Sequence, residues 1–199
     1  MGRYIRLKEE DMIGTIKIDN PPANSLSSEV LSELESALDE LSSNTSVRVL
    51  MITGSGEKIF VSGANIKELA DLDKVSAIRL VSRVKEVFSK IWLSSKPVFC
   101  AMNGHALGGG LELALHCDFR LATEEARFGQ PEINLAVLPG AGGTQLLPRL
   151  IGLSKARWLL LSGETLSAKE ALACGLVDRV VKAESLLEAT KEMAHQIAE

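Results

Sequence analysis

Two glutamates in glycine-rich surroundings are the residues of this chain best suited to catalysis. Glu112 ends the stretch Asn103-Gly-His-Ala-Leu-Gly-Gly-Gly-Leu-Glu112, and Glu132 ends Phe128-Gly-Gln-Pro-Glu132. Leucines flank Glu112 on both sides, and a carboxylate buried among apolar residues without a role is costly. We therefore predict that Glu112 is an acid/base carboxylate and take Glu132 as a second candidate.

The glycine triplet at 108–110 predicts a binding site for a developing negative charge. It opens an apolar run, residues 111–115, that is typical of a short buried helix. The first amides of a helix have no internal partner and lie at its positive end, and glycine lets the backbone approach a ligand closely. Since Glu112 lies three residues beyond Gly109, its carboxylate is expected to face the same spot as these donors.

The composition is that of an ordinary globular protein. The 199 residues are 46% hydrophobic and 24% charged, with a formal net charge of −4, which gives no electrostatic support for nucleic-acid binding. The three cysteines, at 100, 117 and 174, lack CxxC spacing, which favours buried free thiols over a zinc site or disulfides. We expect one domain, a cytoplasmic location, and neither a signal region nor a membrane-spanning run.

Short motifs of several other enzyme classes are absent from the sequence. It has no GxxxxGK[ST] phosphate loop, no GxGxxG after a strand, no GxSxG nucleophile elbow and no HExxH. The three histidines, at 105, 116 and 195, share no metal-ligand spacing. Chemistry by the two carboxylates and by backbone amides therefore remains the prediction.

Strand and helix patterns alternate along the chain and predict an α/β fold with substantial parallel sheet. Continuous apolar runs at 47–53 and 98–102 predict strands buried on both faces. Apolar residues at helical spacing predict an amphipathic helix at 27–41, with Ser27 as N-cap, and another at 73–93. The other predicted elements are a strand at 12–19, a turn at 20–24, a strand at 119–122, helices at 154–161 and 168–174 (the latter with a Ser167/Glu170 capping box), a strand at 176–181 and a helix from 184 onward.

A third glycine-flanked segment, Val61-Ser-Gly-Ala-Asn-Ile-Lys67, follows a predicted buried strand and precedes a long helix. Together with the Glu112 and Glu132 motifs, it makes the chain resemble the crotonase family, and specifically its enoyl-CoA hydratases. The resemblance extends from Ile16 to Asp178 and implies a spiral of repeated ββα units. We accordingly expect a spiral core at 1–183 and, at 184–199, the start of a C-terminal helical region that is truncated relative to the family.

The resemblance also implies roles for individual residues. The backbone amides of Ala64 and Gly109 would form an oxyanion hole for the thioester oxygen. Glu112 would orient and deprotonate water, and Glu132 would deliver a proton to Cα, with a concerted mechanism as the alternative. Asn65 departs from the aspartate that is frequent in the family. The residues implied to bind substrate are Ala23, Asn24, Leu26, Ser62, Ala64, Asn65, Ile66, Lys67, Gly109, Pro139 and Gly140.

We expect a different role for each of three segments of this substrate site. The turn containing Ala23, Asn24 and Leu26 resembles the edge of an adenine-binding region. Residues 64–67 would line the CoA and thioester site, and Lys67 is either a phosphate contact or an ordinary surface lysine. The loop Pro139-Gly-Ala-Gly-Gly143 either permits close packing or forms a wall of the acyl pocket.

The implied function is hydration of enoyl-CoA thioesters to 3-hydroxyacyl-CoA, in fatty-acid β-oxidation or related acyl-CoA breakdown. The reaction needs no metal or separate cofactor, because CoA arrives as part of the substrate. The family resemblance further implies a homo-oligomer, either a trimer or a dimer of trimers, with no nucleic-acid or membrane partner. Two alternatives stay open: an isomerase or lyase of the same fold, and a truncated, non-catalytic CoA-binding protein.

Overall fold

The computed structural model describes residues 2–198, apart from the side chain of Lys67. The strands of this part are β1 (Ile5–Glu10), β2 (Ile13–Ile18), β3 (Val49–Gly54), β4 (Ile59–Val61), β5 (Val98–Met102), β6 (His105–Leu107), β7 (Phe119–Thr123), β8 (Arg127–Gly129), β9 (Thr165–Ser167) and β10 (Arg179–Val181). The helices are α1 (Ser28–Ser43), α2 (Ile66–Ala70), α3 (Lys74–Trp92), α4 (Gly109–Leu115), α5 (Gly143–Ile151), α6 (Leu153–Ser162), α7 (Ala168–Ala173) and α8 (Leu186–Ala198). Short 3₁₀ turns cover Pro131–Leu135 and Ala183–Ser185.

The strands form two sheets, one of six strands and one of four. One has the order β1-β2-β3-β5-β7-β10, and the other has the order β4-β6-β8-β9. All neighbours are parallel except β1 with β2 and β8 with β9. Each successive pair, β3/β4, β5/β6 and β7/β8, therefore contributes one strand to each sheet before a helical segment follows. This is the repeated ββα spiral that the family resemblance implies.

The six-stranded sheet is covered on both faces, as the apolar runs predict. Alternate residues of β3 divide between two cores: Leu50 and Ile52 join the larger one, and Val49 and Met51 join the smaller. This division follows from the two-residue period of a strand. The larger core contains apolar residues of α1, α3 and α4, and the smaller one contains residues of α8. Helix α8 thus packs on one face of this sheet, and the core that contains the apolar residues of α4 lies on the other.

Helix boundaries follow the capping signals in the sequence. Ser27 is the N-cap of α1, and its side-chain oxygen accepts a hydrogen bond from the Val30 amide at 3.3 Å. Ser167 and Glu170 form the predicted capping box of α7. Both predictions are confirmed, and α1 runs to Ser43 rather than ending at residue 41.

The sequence patterns predict neither β1 nor α5. Strand β1 is an edge strand in which only Ile5 is buried, so its outer residues lack an apolar signal. Helix α5 begins after Gly142 without a side-chain cap and contains Pro148, a residue that ordinarily interrupts helices. The strands of the smaller sheet have only three residues each, which is too short for a periodicity to appear.

Helix α3 is the amphipathic helix predicted at 73–93, and only its C-terminal half is fully covered. Val87, Phe88 and Ile91 are buried, whereas Val75 and Ile78 are 56% and 59% exposed. Helix α8 lies in the region predicted as the start of a further helical segment, and it packs on β3, β5 and β7. The division of the chain at residues 183 and 184 stays a prediction. Within residues 2–198, no helix is long and apolar enough to cross a membrane.

Candidate active site

Two backbone amides meet where β4 ends and α4 begins. The added Cβ of an alanine at Gly109 would lie 3.6 Å from the nitrogen of Ala64, so the two chain segments lie close together. The Gly109 amide is the first of α4 and has no partner within the helix. Neither the Ala64 nor the Gly109 amide donates a hydrogen bond to an acceptor among residues 2–198. Two adjacent, unpaired donors can bind a single oxygen anion.

The glycine triplet permits this approach. Gly108 has φ +51° and ψ −126°, a conformation that is strongly disfavoured for residues with a Cβ. A Cβ on Gly110 would lie 2.0 Å from the carbonyl oxygen of Val61. The start of α4 can therefore pack directly against β4 only because both positions are glycine.

Glu112 is a buried residue of α4, and backbone amides at the start of α5 and in the loop before it donate hydrogen bonds to its carboxylate. The side chain is 3% exposed, and its Oε1 accepts hydrogen bonds from the amides of Ala141 and Gly143, each at 2.8 Å. Burial raises the pKa of Glu112, while these two amides, which favour the charged form, oppose the rise. Its Oε2 accepts no hydrogen bond from the described residues and is left available to a ligand.

Glu132 lies in the 3₁₀ turn Pro131–Leu135, next to the glycine triplet. A Cβ on Gly108 would lie 3.0 Å from its Oε1. Burial, and then the negative charge of Glu112, raise the pKa of Glu132 to about 7. The carboxamide of the fully buried Gln130, oriented with Nε2 toward Glu132, donates to both carboxylate oxygens at 2.9 and 3.1 Å.

The two carboxylates thus differ in a way that suits acid–base chemistry. Two backbone amides donate to one oxygen of Glu112 and stabilise its charged form. No other described residue donates a backbone amide to Glu132, so its charged form receives less support for a given degree of burial. Glu132 has a pKa of about 7 and is partly protonated at neutral pH. Pairs of carboxylates whose environments push their pKa values apart provide a base and an acid at the same pH.

The turn and strand predicted to bind substrate lie side by side. The Ser62 amide donates to Ala23 O at 3.1 Å, and Leu26 forms a parallel bridge with Ala64. Asn24, however, is 2% exposed, and its side chain bonds to backbone rather than facing outward.

The remaining predicted binding residues lie at the start of α2 and in the loop before α5. Asn65 is half-buried and donates to Glu68 at 3.4 Å, and Ile66 is exposed. The side chain of Lys67 lies outside the described residues. A Cβ on Gly140 would lie 3.3 Å from Val81 of α3, so the Pro139–Gly140 segment packs against that helix while the next residues hold Glu112.

Sequence reasoning missed three residues that hold the carboxylates: Gln130, Ala141 and Gly143. A signal for Gln130 was present, because it is a polar residue between Phe128-Gly129 and Pro131, in a segment otherwise suited to burial. No signal identified the two amides, because their side chains take no part and the loop lies about thirty residues from Glu112. Among the described residues, no cluster of three or more His, Cys, Asp or Glu side chains is arranged to hold a metal ion.

Fold and site together define an α/β protein of two sheets, with two adjacent backbone amides that are free to bind an anion beside one buried and one half-buried carboxylate. The profile of one family, enoyl-CoA hydratase/isomerase, matches residues 8–199. The chain is 40% identical to a short-chain-enoyl-CoA hydratase of Clostridium acetobutylicum over 192 residues, which cover 96% of this chain and 74% of that protein. It is 43% identical to a crotonyl-CoA hydratase of Syntrophomonas wolfei over 194 residues, which cover 97% of this chain and 75% of that one.

Solved structures agree with this assignment. An enoyl-CoA hydratase from Bacillus anthracis superposes with a TM-score of 0.95 at 41% identity, covering 98% of this chain and 77% of that one. Pseudomonas aeruginosa DspI gives the same TM-score at 35% identity, with 98% and 80% covered. The chain belongs to the enoyl-CoA hydratase/isomerase family and has the crotonase fold.

Proposed function

We propose that this protein is an enoyl-CoA hydratase, a hydro-lyase that adds water across the 2,3 double bond of enoyl-CoA thioesters. The product is a 3-hydroxyacyl-CoA, formed in fatty-acid β-oxidation or related acyl-CoA breakdown. The observation that carries the proposal is the position of one buried and one half-buried carboxylate, Glu112 and Glu132, both with raised pKa, beside the free Ala64 and Gly109 amides. The names of the relatives from C. acetobutylicum and S. wolfei support the same reaction.

The paired amides would hold the thioester oxygen during the reaction. When water adds to Cβ, electron density moves through the double bond and negative charge develops on that oxygen. The Ala64 and Gly109 N–H groups then donate to an oxyanion, and the positive end of α4 adds to the stabilisation. Loss of one such donor typically costs about 10²–10³ in rate.

The two carboxylates would divide the proton transfers. Glu112, whose Oε1 is fixed by two amides, accepts a proton from water through Oε2 as the new C–O bond forms at Cβ. Glu132, partly protonated near neutral pH, gives its proton to Cα. The two glutamates then exchange one proton through solvent, so the net reaction consumes one water and one enoyl thioester.

The rest of the proposal concerns what accompanies the substrate. The reaction uses no metal and no cofactor beyond the CoA of the thioester itself, which would lie along the turn at 23–26 and residues 62–67. We also propose a homo-oligomer, a trimer or a dimer of trimers, in the cytoplasm. These proposals depend on the family resemblance.

The decisive experiment is the loss of crotonyl-CoA absorbance with wild type, Glu112→Gln and Glu132→Gln. Because each variant removes a proton-transfer group, we expect kcat to fall by about 10²–10⁴ in each. Glu125→Gln is the matched control, since Glu125 is an exposed glutamate in the turn between β7 and β8. A folded wild type without turnover would exclude the hydratase for this substrate. A 3-enoyl-CoA, tested in parallel, would then reveal an isomerase.

A further inference from the structure

The side chain of Asn24 joins the turn at 20–26 to the connection between β3 and β4. It is 2% exposed, and its Oδ1 accepts a hydrogen bond from the Asn20 amide at 3.1 Å. Its two N–H bonds serve three carbonyl oxygens, so one hydrogen is shared. These acceptors are the backbone oxygens of Ser55 at 2.9 Å, Ile59 at 3.1 Å and Phe60 at 3.0 Å.

The segment after Asn24 also contacts the chain at both proposed oxyanion donors, the Ala64 and Gly109 amides. Two residues after Asn24, the Leu26 amide donates to Gly63 O at 2.8 Å, and Leu26 pairs with Ala64 as a parallel bridge. A Cβ on Gly109 would lie 3.5 Å from Leu26 Cδ1. The segment that begins at Asn24 therefore contacts the chain on each side of the proposed oxyanion hole.

Asparagine suits position 24 better than alanine, aspartate or glycine would. Residue 24 has φ +49°, in the left-handed region that asparagine tolerates and alanine does not favour. An ionised aspartate would place a charge beside three carbonyl oxygens and offer no donor. Glycine would keep the backbone conformation and lose all of the side-chain hydrogen bonds.

We propose that Asn24 is a positioning residue for the oxyanion hole. It fixes the strand that ends at Val61, and through the Leu26–Ala64 pairing it fixes the direction of the Ala64 amide relative to that of Gly109. A displacement of about 1 Å at a reacting group can cost about 10² in rate. This inference rests on the proposed hydratase function, and it assigns Asn24 to the geometry of catalysis rather than to CoA binding.

The test compares Asn24→Gly and Asn24→Ser with Asn20→Ala. Asn20 is a matched control, because it lies in the same turn and its side-chain amide donates to Ser25 alone. Three quantities are measured: kcat for crotonyl-CoA, the Kd for CoA, and the red shift of bound 4-(dimethylamino)cinnamoyl-CoA. This shift reports polarisation of the thioester carbonyl by the two amides and does not depend on turnover.

We expect kcat to fall about 10- to 100-fold in Asn24→Gly, with a smaller red shift and a Kd for CoA within about threefold of wild type. Asn24→Ser, which keeps one donor, should be intermediate, and Asn20→Ala should match wild type. An unchanged red shift, or a loss confined to CoA affinity, would overturn the proposal. Failure of both Asn24 variants to fold would show a purely structural role and would also reject it.

Failure of the hydratase function is separable from failure of this inference. If folded wild type hydrates no enoyl-CoA, hydrogen exchange of the Leu26 amide still tests whether Asn24 holds the two segments together. Protection of that amide should drop in Asn24→Gly and persist in Asn20→Ala. Equal protection in the two variants would count against Asn24 even where the enzyme is active.

Discussion

At the scale of single residues, the site is a pair of identical side chains in unequal surroundings. Glu112 is the more deeply buried, and the amides of Ala141 and Gly143 compensate its charge. Glu132 has no backbone donor from another residue, and Gln130 is its only hydrogen-bond donor among the described side chains. The chain therefore maintains one carboxylate with support for its charge and one that is partly protonated at neutral pH.

This inequality predicts how stability changes with pH when Glu132 is replaced. A carboxylic acid whose pKa is raised by folding contributes stability at low pH, and the contribution is lost as pH rises through the folded pKa. For Glu132 that window lies between the ordinary 4.5 and about 7. Because Glu132 is only half-buried, solvent screening reduces the effect to about 1–2 kcal/mol at pH 8.

Glu132→Gln should therefore raise Tm by about 2–6 °C at pH 8 and by less than about 1 °C at pH 4. Thermal unfolding at both pH values measures the difference, and Glu125→Gln controls for loss of one exposed charge. A gain in Tm that is the same at pH 4 and pH 8 would show that the charge of Glu132 is not the cause. The same variant loses activity by the argument above, so stability and function oppose each other at this residue.

At the scale of elements, two adjacent glycines at the start of α4, Gly109 and Gly110, have different surroundings. A Cβ on Gly110 would meet the Val61 carbonyl oxygen at 2.0 Å, a backbone atom that cannot move aside alone. A Cβ on Gly109 would meet only atoms at 3.5–3.6 Å, which is ordinary van der Waals contact, but one of them is the Ala64 nitrogen. One glycine is needed for packing, and its neighbour is needed for access to the anion site.

Two alanine substitutions separate these needs. Gly110→Ala should destabilise the protein by about 2–4 kcal/mol, because α4 must shift away from β4. Gly109→Ala should change stability by less than about 1 kcal/mol and yet lower kcat by about 10² or more, since the methyl group occupies the space between the two amides. Urea denaturation and the crotonyl-CoA assay measure both effects. A stable Gly110→Ala, or a fully active Gly109→Ala, would contradict this reading of the helix start.

At the scale of the whole molecule, local signals in the sequence predict the elements well and their arrangement less well. Strands β3 and β5 were predictable because burial on both faces leaves continuous apolar runs. The strands of the smaller sheet were not, because three residues carry no period. The division of the spiral between two sheets, and the clamp on Glu112 by a loop about thirty residues away, depend on long-range packing. Only the resemblance to a known family indicated the spiral and the amide pair.

Because α4 and α8 belong to different cores, on opposite sides of the six-stranded sheet, we predict that the second core stabilises the fold without entering catalysis. Leu186 of α8 is 2% exposed and packs with Phe99 and Leu121, whereas its neighbour Leu187 is 47% exposed. Leu186→Ala leaves a cavity and should lower the free energy of unfolding by about 2–4 kcal/mol. Leu187→Ala, the matched control, should change it by less than about 0.5 kcal/mol.

The rate per folded molecule should be unaffected in both variants. The Glu112 side chain belongs to a helix on the other face of the sheet, and relaxation around a cavity is usually local and partial. Chemical denaturation gives the stability, and kcat at a temperature well below the transition gives the function. Loss of kcat in a Leu186→Ala protein that remains fully folded would show that the sheet transmits the change to the site. In that case the two cores would have to be treated as one coupled unit rather than as a support and a catalytic face.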